Sequence, residues 1–333
     1  MTVGAKDEGF RTLIEPHRRA ITLHCYRMLG SLQDAEELVQ ETLLRAWQRR
    51  EEVRDTGALR AWLYQIATNA CLDLLKTRRR RRALPHLLGA PSTSMRMGPA
   101  QEESMWVEPA PDHLLHVAGD ALQQPDEQAS RRESIGLAFI AALQLLSPKQ
   151  RAALLLVDVL GWNPQETAAL LETSVASVNS LLQRARKSVE TRREEEPAPQ
   201  VSVSDSALLG RFINAWEQGD LEAFTALLAD DARFAMPPQP EWYAGREAIG
   251  QFFGAIWTAL PGRRRLLPVA ANGGLAVAVY NRSMQPNAVF QATGITLVTF
   301  HEGRIALLIR FGVPNLFPLF GLPSQLTNDG DPQ

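Results

Sequence analysis

Ser174, Ala176, Ser177, Asn179, Ser180 and Gln183, followed by Arg184, Arg186 and Lys187, make a run of small, mostly polar side chains that ends in cations. At helical spacing Val175, Val178 and Leu182 share one face, which turns the polar set outward. Hydroxyls and amides near the start of a helix suit hydrogen bonds to base edges, and cations further along suit phosphates. The residues just before supply the placement such a helix needs. Small Ala168 and Ala169 lie on a preceding helix, and a turn falls at Glu172-Thr173, so residues 163–187 read as a helix-turn-helix. By itself the segment also describes a helical hairpin with a solvated polar face.

The elements that must hold this face in place follow from periodicity and charge. The net charge of −2 conceals alternating blocks. Lys plus Arg exceed Asp plus Glu by 16 to 11 over residues 1–82 and by 9 to 5 over 131–193, whereas acids lead 7 to 1 over 83–130 and 14 to 9 over 194–333. Two basic modules on an acidic spacer, with an acidic domain appended, fit binding to a polyanion at two places. Residues 10–82 carry apolar residues at helical spacing, punctuated by Gly30, Ser31 and Gly57, and are expected to form a bundle of three or four helices. Residues 83–132 hold Pro85, Pro91, Pro99, Pro109, Pro111 and Pro125 and read as a Pro-rich acidic linker, in which Trp106 and Val107 could dock on a folded surface. Residues 133–193 are helical again, with starts at Ser147-Pro148, Asn163-Pro164 and Thr173-Ser174, where a capping side chain precedes the first turn. Residues 204–323 change character. Helices are expected over 206–218, 221–229 and 246–259, then strands over 274–281, 289–300 and 304–311 with a hairpin turn at His301-Glu302-Gly303. Two all-α domains plus a C-terminal α+β domain result.

Several function classes are disfavoured. No run approaches the roughly 18 to 20 apolar residues a membrane span needs, so a cytoplasmic protein with no membrane partner is expected. Cys25 and Cys71 both fall in amphipathic helical segments and are expected to be reduced core residues, with no metal site and no cofactor.

Ser31-Leu32-Gln33-Asp34-Ala35-Glu36-Glu37-Leu38-Val39-Gln40-Glu41-Thr42-Leu43-Leu44-Arg45-Ala46-Trp47 resembles region 2.2 of the sigma-70 family, in its extracytoplasmic-function group. The resemblance implies that this helix meets the β' clamp of core RNA polymerase, with Asp34, Glu37, Leu38, Gln40 and Glu41 as its contact set, Leu38 also facing the bundle. Residues 57–82 look like regions 2.3 and 2.4, which melt and read the −10 element. An unstacked base needs amide or hydroxyl partners, and single-stranded DNA needs a cationic track. Asn69 and Asp73, one turn apart, suit the first need, and Lys76, Arg78, Arg79, Arg80, Arg81 and Arg82 suit the second. Trp62 reads as bundle core in preference to a stacking wedge. Residues 143–187 resemble region 4, which implies a contact with the β flap and −35 reading by the face described above. One departure stands out: Val178-Asn179-Ser180-Leu181-Leu182 replaces a run in which the family often carries Lys and Arg, which puts the −35 sequence in doubt. Promoter DNA and core polymerase are thus the implied partners, with alternative-sigma activity and no covalent chemistry. A DNA-binding repressor acting without polymerase is a competing class, disfavoured by the clamp-like segment.

Residues 206–317 resemble the SnoaL-like, nuclear-transport-factor-2-like fold, through Trp216-Glu217-Gln218-Gly219-Asp220-Leu221, Leu227-Leu228-Ala229-Asp230-Asp231-Ala232 and Tyr243-Ala244-Gly245-Arg246-Glu247-Ala248-Ile249. The likeness implies a cone of antiparallel sheet and helices around an apolar cavity for a small apolar ligand, with Trp216, Tyr280, Gln291 and Arg310 as pocket candidates and Thr293 beside them. Some such domains are isomerases or cyclases that use a pocket Asp or His as base. Asp230 and Asp231, placed at a helix end, and His301, in a turn, are poor candidates for that role. A ligand-sensing or intramolecular regulatory role is preferred to catalysis.

Overall fold

The structure is a computed structural model that describes residues 3–52, 58–78, 82–94, 97–115, 135–195, 203–285 and 288–326. The chain divides into two units: residues 1–82 with 113–198, and residues 83–112 with 199–333.

The first unit is helical. Its N-terminal block contains α1 (Val3–Ile14), α2 (Arg18–Leu29), α3 (Leu32–Gln48) and α4 (Leu59–Thr77). Gly30 ends α2 in a left-handed conformation (φ 69°), and Ser31 caps α3 by accepting from the Asp34 N–H at 3.2 Å. Leu32, Ala35, Leu38, Val39, Thr42, Leu43 and Ala46 form the buried stripe of α3, as the helical period requires. Cys25 and Cys71 are free and buried, and burial pushes the Cys71 thiol well above its ordinary pKa.

The second block contains α5 (Leu137–Leu145), α6 (Pro148–Leu154), α7 (Pro164–Leu170) and α8 (Val175–Glu195). Capping boxes start α6 (Ser147 with Gln150) and α7 (Asn163 with Glu166), each with proline at the first position, where a missing N–H costs nothing. A five-residue π-helix, Leu155–Val159, follows α6. The two blocks pack together. Gln144 Nε2 donates to the Arg27 carbonyl at 3.1 Å, and the buried Arg151 donates to the Met28 carbonyl and to Gln144 Oε1. Gly30 is needed there for space, since a Cβ would lie 2.9 Å from Gln144 Cδ.

The second unit is α+β. Helices α9 (Val203–Gln218), α10 (Leu221–Ala226) and α11 (Arg246–Ala259) accompany strands β1 (Leu228–Ala235), β2 (Trp242–Ala244), β3 (Gly262–Ala271), β4 (Gly274–Ser283), β5 (Phe290–His301), β6 (Arg304–Phe311) and β7 (Gln325–Leu326). The sheet order is β2-β1-β6-β5-β4-β3, with β7 on β5. Two expectations are corrected. The sheet is mixed, because β1 runs parallel to β6. Residues 227–232, read as a helix end, instead lead into β1: pairing on both edges outweighs the weak strand propensity of Ala and Asp. Strand β3 was also unforeseen, since Arg263-Arg264-Arg265 and Pro268 mask it. It lies at the sheet edge, where proline and charge are tolerated.

The stretch read as a spacer is largely built into this second unit. Val107 N–H donates to the Ala83 carbonyl at 3.1 Å, Ser92 N–H to the Trp242 carbonyl at 2.7 Å, and Gly98 N–H to Glu241 Oε1 at 2.9 Å. Ala110 N–H reaches Asn272 Oδ1 at 2.9 Å. Trp106 and Val107 are buried, at 3% and 0% exposed, so the apolar pair does dock. Residues 83–112 therefore form a strap along the C-terminal domain.

Candidate nucleic-acid interface

Helix α8 begins where Ser174 Oγ accepts from the Ser177 N–H at 3.1 Å, after a turn in which Glu172 adopts a positive φ of 50°. Val178, Leu182, Ala185 and Val189 are buried, and this stripe fixes which side of α8 faces out. Ala176, Asn179, Ser180, Gln183, Arg184, Arg186 and Lys187 are exposed and Ser177 is half-buried, so the whole predicted set shares the outward side. Ser180 turns its hydroxyl back to the Ala176 carbonyl at 3.1 Å. Arg186 is already engaged: Asp158, on the π-helix, accepts from it at 2.6 and 2.9 Å. The hydrogen bonds and charge of Asp158 raise the Arg186 pKa.

On α4, Asn69 and Asp73 are both exposed one turn apart, and Lys76 pairs with Asp73 at 2.9 Å. Arg78 and Arg82 depart from the expectation of free phosphate contacts. Arg78 donates to Asp34 Oδ2 at 2.5 Å, and the buried Arg82 joins at 2.9 Å. Burial alone would raise the Asp34 pKa, but the bonds and charges of Arg78 and Arg82 outweigh it and hold the carboxylate below its ordinary value. Arg79, Arg80 and Arg81 lie outside the described residues. Trp62 is half-buried.

The contact face expected on α3 is smaller than the sequence suggested. Glu37 and Gln40 are exposed and Glu41 is half-buried, bonded to Arg45 at 2.5 Å. Asp34 and Leu38 are corrected. Leu38 is 9% exposed in the bundle, and Asp34 is committed to Arg78 and Arg82, just past the end of α4 and 44 and 48 residues away. Beside that face, Leu44 is exposed and joins Trp47, Ile14 and Arg18 around an open groove of about 1060 Å³.

The four pocket candidates of the C-terminal domain do not converge. Trp216 is inside a ring cluster, 5.0 Å from Phe253, which in turn lies 4.6 Å from Phe224 and 4.9 Å from Phe234. These rings occupy interior that the resemblance assigns to an apolar ligand. Tyr280 packs on Phe317 and donates to the Pro323 carbonyl at 2.9 Å, its pKa pushed up to about 12 by burial. Gln291 is exposed. Arg310 shares the face of β6 that carries Leu308 into the core, and burial lowers its pKa to about 10. Asp230 and Asp231 are exposed on β1, with Asp230 paired to Arg246 at 2.9 Å, and His301 is exposed at the end of β5. Sequence reasoning missed the Gln144–Arg151 contact between the helical blocks and the strap. The second had one visible signal, the apolar pair Trp106-Val107.

Comparison with known proteins agrees with this arrangement. Family models match residues 13–81 (sigma-70 region 2), 136–189 (sigma-70, region 4) and 209–308 (SnoaL-like domain). The ECF RNA polymerase sigma factor SigG of Mycobacterium tuberculosis is 43% identical over 95% of this chain and 85% of its own length. SigJ of the same species is 26% identical over 95% of this chain and 96% of its own. In fold, the crystal structure of the M. tuberculosis extracytoplasmic function sigma factor SigJ superposes with a TM-score of 0.60 at 23% identity, covering 94% of this chain and 98% of that one. Among the described residues no helix is long and apolar enough to cross a membrane. With both sigma modules in order and a relative 43% identical over most of both chains, the chain belongs to the extracytoplasmic-function group of sigma-70 factors, alternative sigma factors that bind core RNA polymerase and direct promoter-specific transcription, here with a fused SnoaL-like domain.

Proposed function

We propose that this sigma factor is modulated by its own C-terminal domain through the strap, and that the domain acts on initiation without catalysing a reaction. The observation that carries the reading is that residues 83–112, most of the connection between the two promoter-binding blocks, are bonded along the C-terminal domain. The −10 and −35 elements are separated along the duplex, so one chain occupying both must part α2 from α5 and α6 and let the connection extend. A domain that grips the connection biases that closed-to-open equilibrium, and its tethering makes the grip effectively intramolecular.

In the open state, Glu37, Gln40 and Glu41 of α3 face the β' clamp, the second helical block meets the β flap, and the α8 face from Ser174 to Lys187 enters the −35 major groove. Asn69, Asp73, Lys76, Arg79 and Arg80 serve the −10 strand. Arg78 joins them only by leaving Asp34. Exposed Asp230, Asp231 and His301 support a non-catalytic role for the domain, because a general base works from a site that water does not flood.

Run-off transcription with purified core polymerase tests both levels. New start sites with the full-length chain are expected. Trp106→Ser, which loosens the strap while leaving α1 to α8 untouched, is expected to change their yield several-fold. Absence of transcripts and of core binding would overturn the polymerase and promoter contact set. Equal yields from wild type and Trp106→Ser, with the variant's strap shown to be released by limited proteolysis, would overturn the modulation alone.

A further inference from the structure

The face of the C-terminal sheet turned to the ring cluster carries Leu275, Val277 and Val279 on β4, Val298 on β5 and Leu308 on β6. Register extends that face towards one end of the sheet. Thr296 stands opposite Val277, and Arg310 stands opposite Thr296, so both share its side. Gly294, opposite Val279, supplies room: a Cβ there would lie 2.8 Å from Arg310 Nη1 and 2.3 Å from the Phe311 carbonyl oxygen.

The hydrogen bonding at this place is incomplete. Arg310 Nη2 donates to Thr293 Oγ1 at 3.1 Å and lies 3.5 Å from the Thr293 carbonyl oxygen. Arg310 Nη1 and Thr296 Oγ1 are buried and make no hydrogen bond among the described residues. Among the described residues no carboxylate pairs with the guanidinium, and burial lowers its pKa to about 10. An arginine cannot escape such a position by losing its proton, since it stays charged at any ordinary pH. Arg310 as a whole is half-buried, but its Nη1 donor is shut off from water and unspent, and a cation with such a donor is destabilised unless an anion completes it.

We propose that Arg310 and Thr296 form the polar end of a binding site for a small organic carboxylate, whose apolar body lies against Val279 and Met236. The carboxylate takes the open Nη1 donor and the Thr296 hydroxyl, which supplies the missing counter-charge in a charge-assisted pair. An apolar body is called for by the surroundings, and Phe234, Phe252 and Phe253 fill the deeper core, which limits it to a short chain or a single ring. The site is independent of whether the domain modulates initiation, because binding is read on the free protein.

Calorimetric titration and thermal shift on the full chain, with hexanoate and benzoate against hexanol, benzyl alcohol and inorganic phosphate, test it. The carboxylates are expected to bind at least about tenfold tighter than the matched alcohols, as a charge-assisted bond implies. Phosphate, lacking the apolar body, is expected to bind no better than the alcohols. Arg310→Met should erase the carboxylate preference, Arg310→Lys should keep part of it, and Thr296→Val should weaken it several-fold. Arg310→Met should also raise the Tm of the ligand-free protein, because it removes an unanswered charge. A purely structural arginine would lower it. Equal binding of acids and alcohols, no binding of either acid, or a carboxylate preference that survives Arg310→Met would overturn the proposal. So would a fall in Tm for Arg310→Met together with unchanged binding in Thr296→Val.

Discussion

Arg151 and Arg310 both hold guanidinium nitrogens away from water, one between the two helical blocks and one, half-buried, in the cone, and their surroundings are opposite. Arg151 is 2% exposed and is answered by the carbonyls of Met28, Gln144 and Leu146 and by the Gln144 side chain. Among the described residues Arg310 finds only Thr293. The first uses its donors to join two segments over 100 residues apart in sequence, and the second keeps donors in reserve. Burial of a charge is thus not by itself a sign of either structure or function. The count of acceptors around it separates the two. The same division recurs at the surface, where Arg78 and Arg186 are held by Asp34 and Asp158 while Arg184 and Lys187 make no ion pair among the described residues.

The largest effect should come from Arg151. Arg151→Met leaves a ring of carbonyls without donors and removes the contact between α2 and α6. Urea unfolding should show a loss of about 3 kcal/mol or more, by the cost of stranding buried polar groups. A loss below about 1 kcal/mol would break the comparison, because Arg151 would then be as dispensable as Arg310 is expected to be.

Next in size is a pH effect at His24, a buried base answered by being kept neutral. His24 bonds to Thr68 Oγ1 at 2.8 Å, and burial first, then the charge of Arg27, lower its pKa from 6.5 to about 3. The unfolded chain binds this proton below about pH 6.5 and the folded protein does not. The stabilisation is therefore complete above pH 6.5 and is lost as pH falls towards about 3, at roughly 1.4 kcal/mol per pH unit. His24→Gln should flatten that slope in denaturation curves between pH 6.5 and 4.5. An unchanged slope would assign the acid sensitivity elsewhere.

Asp34 should have a smaller effect. Asp34→Asn weakens the bonds to Arg78 and Arg82, for a loss of about 1 kcal/mol at pH 7 after allowing for partial exposure. The depressed pKa of Asp34 means its contribution is present above the unfolded value and fades as the folded carboxylate is protonated in acid. The substitution also frees Arg78, so −10 strand binding should hold or improve while stability falls. A fall in both would show that the clamp positions Arg78 for DNA instead of withholding it.

These charges also mark where sequence reading reaches its limit. The buried stripe of α3 and the capped starts of α6 and α7 were legible because period and cap are local. The outward face of α8 was legible for the same reason. Asp34 was misplaced because its partners are 44 and 48 residues away, and an acid in a first turn looks solvated until α4 arrives beside it. Strand β1 was hidden because Ala229, Asp230 and Asp231 have no strand character without β2 and β6 to pair with. The strap was hidden by its prolines, which announce irregular backbone but not whether that backbone is free or bonded. The pocket candidates scattered because residues on β4, β5 and β6 share a face only through register, and the bulge between Val279 and Tyr280 changes that register.

The smallest effect separates two neighbours on α8. Arg184 is exposed and ready for a phosphate, whereas Arg186 must first leave a two-pronged pair with Asp158. Arg184→Ala should flatten the dependence of log K on log salt for duplex −35 binding by about 0.9, one phosphate contact's worth. Arg186→Ala should change it less, since the protein already answers that charge. Asp158→Asn is the sharper probe, because it releases Arg186 without adding a charge to the helix. It should steepen the salt dependence by up to the same about 0.9, and only while Arg186 is present. If Arg184→Ala and Arg186→Ala flatten it equally and Asp158→Asn does nothing, then Asp158 surrenders its partner to DNA at no cost, and an acceptor within hydrogen-bonding reach at the surface does not divide structural from DNA-binding arginines as it does in the core.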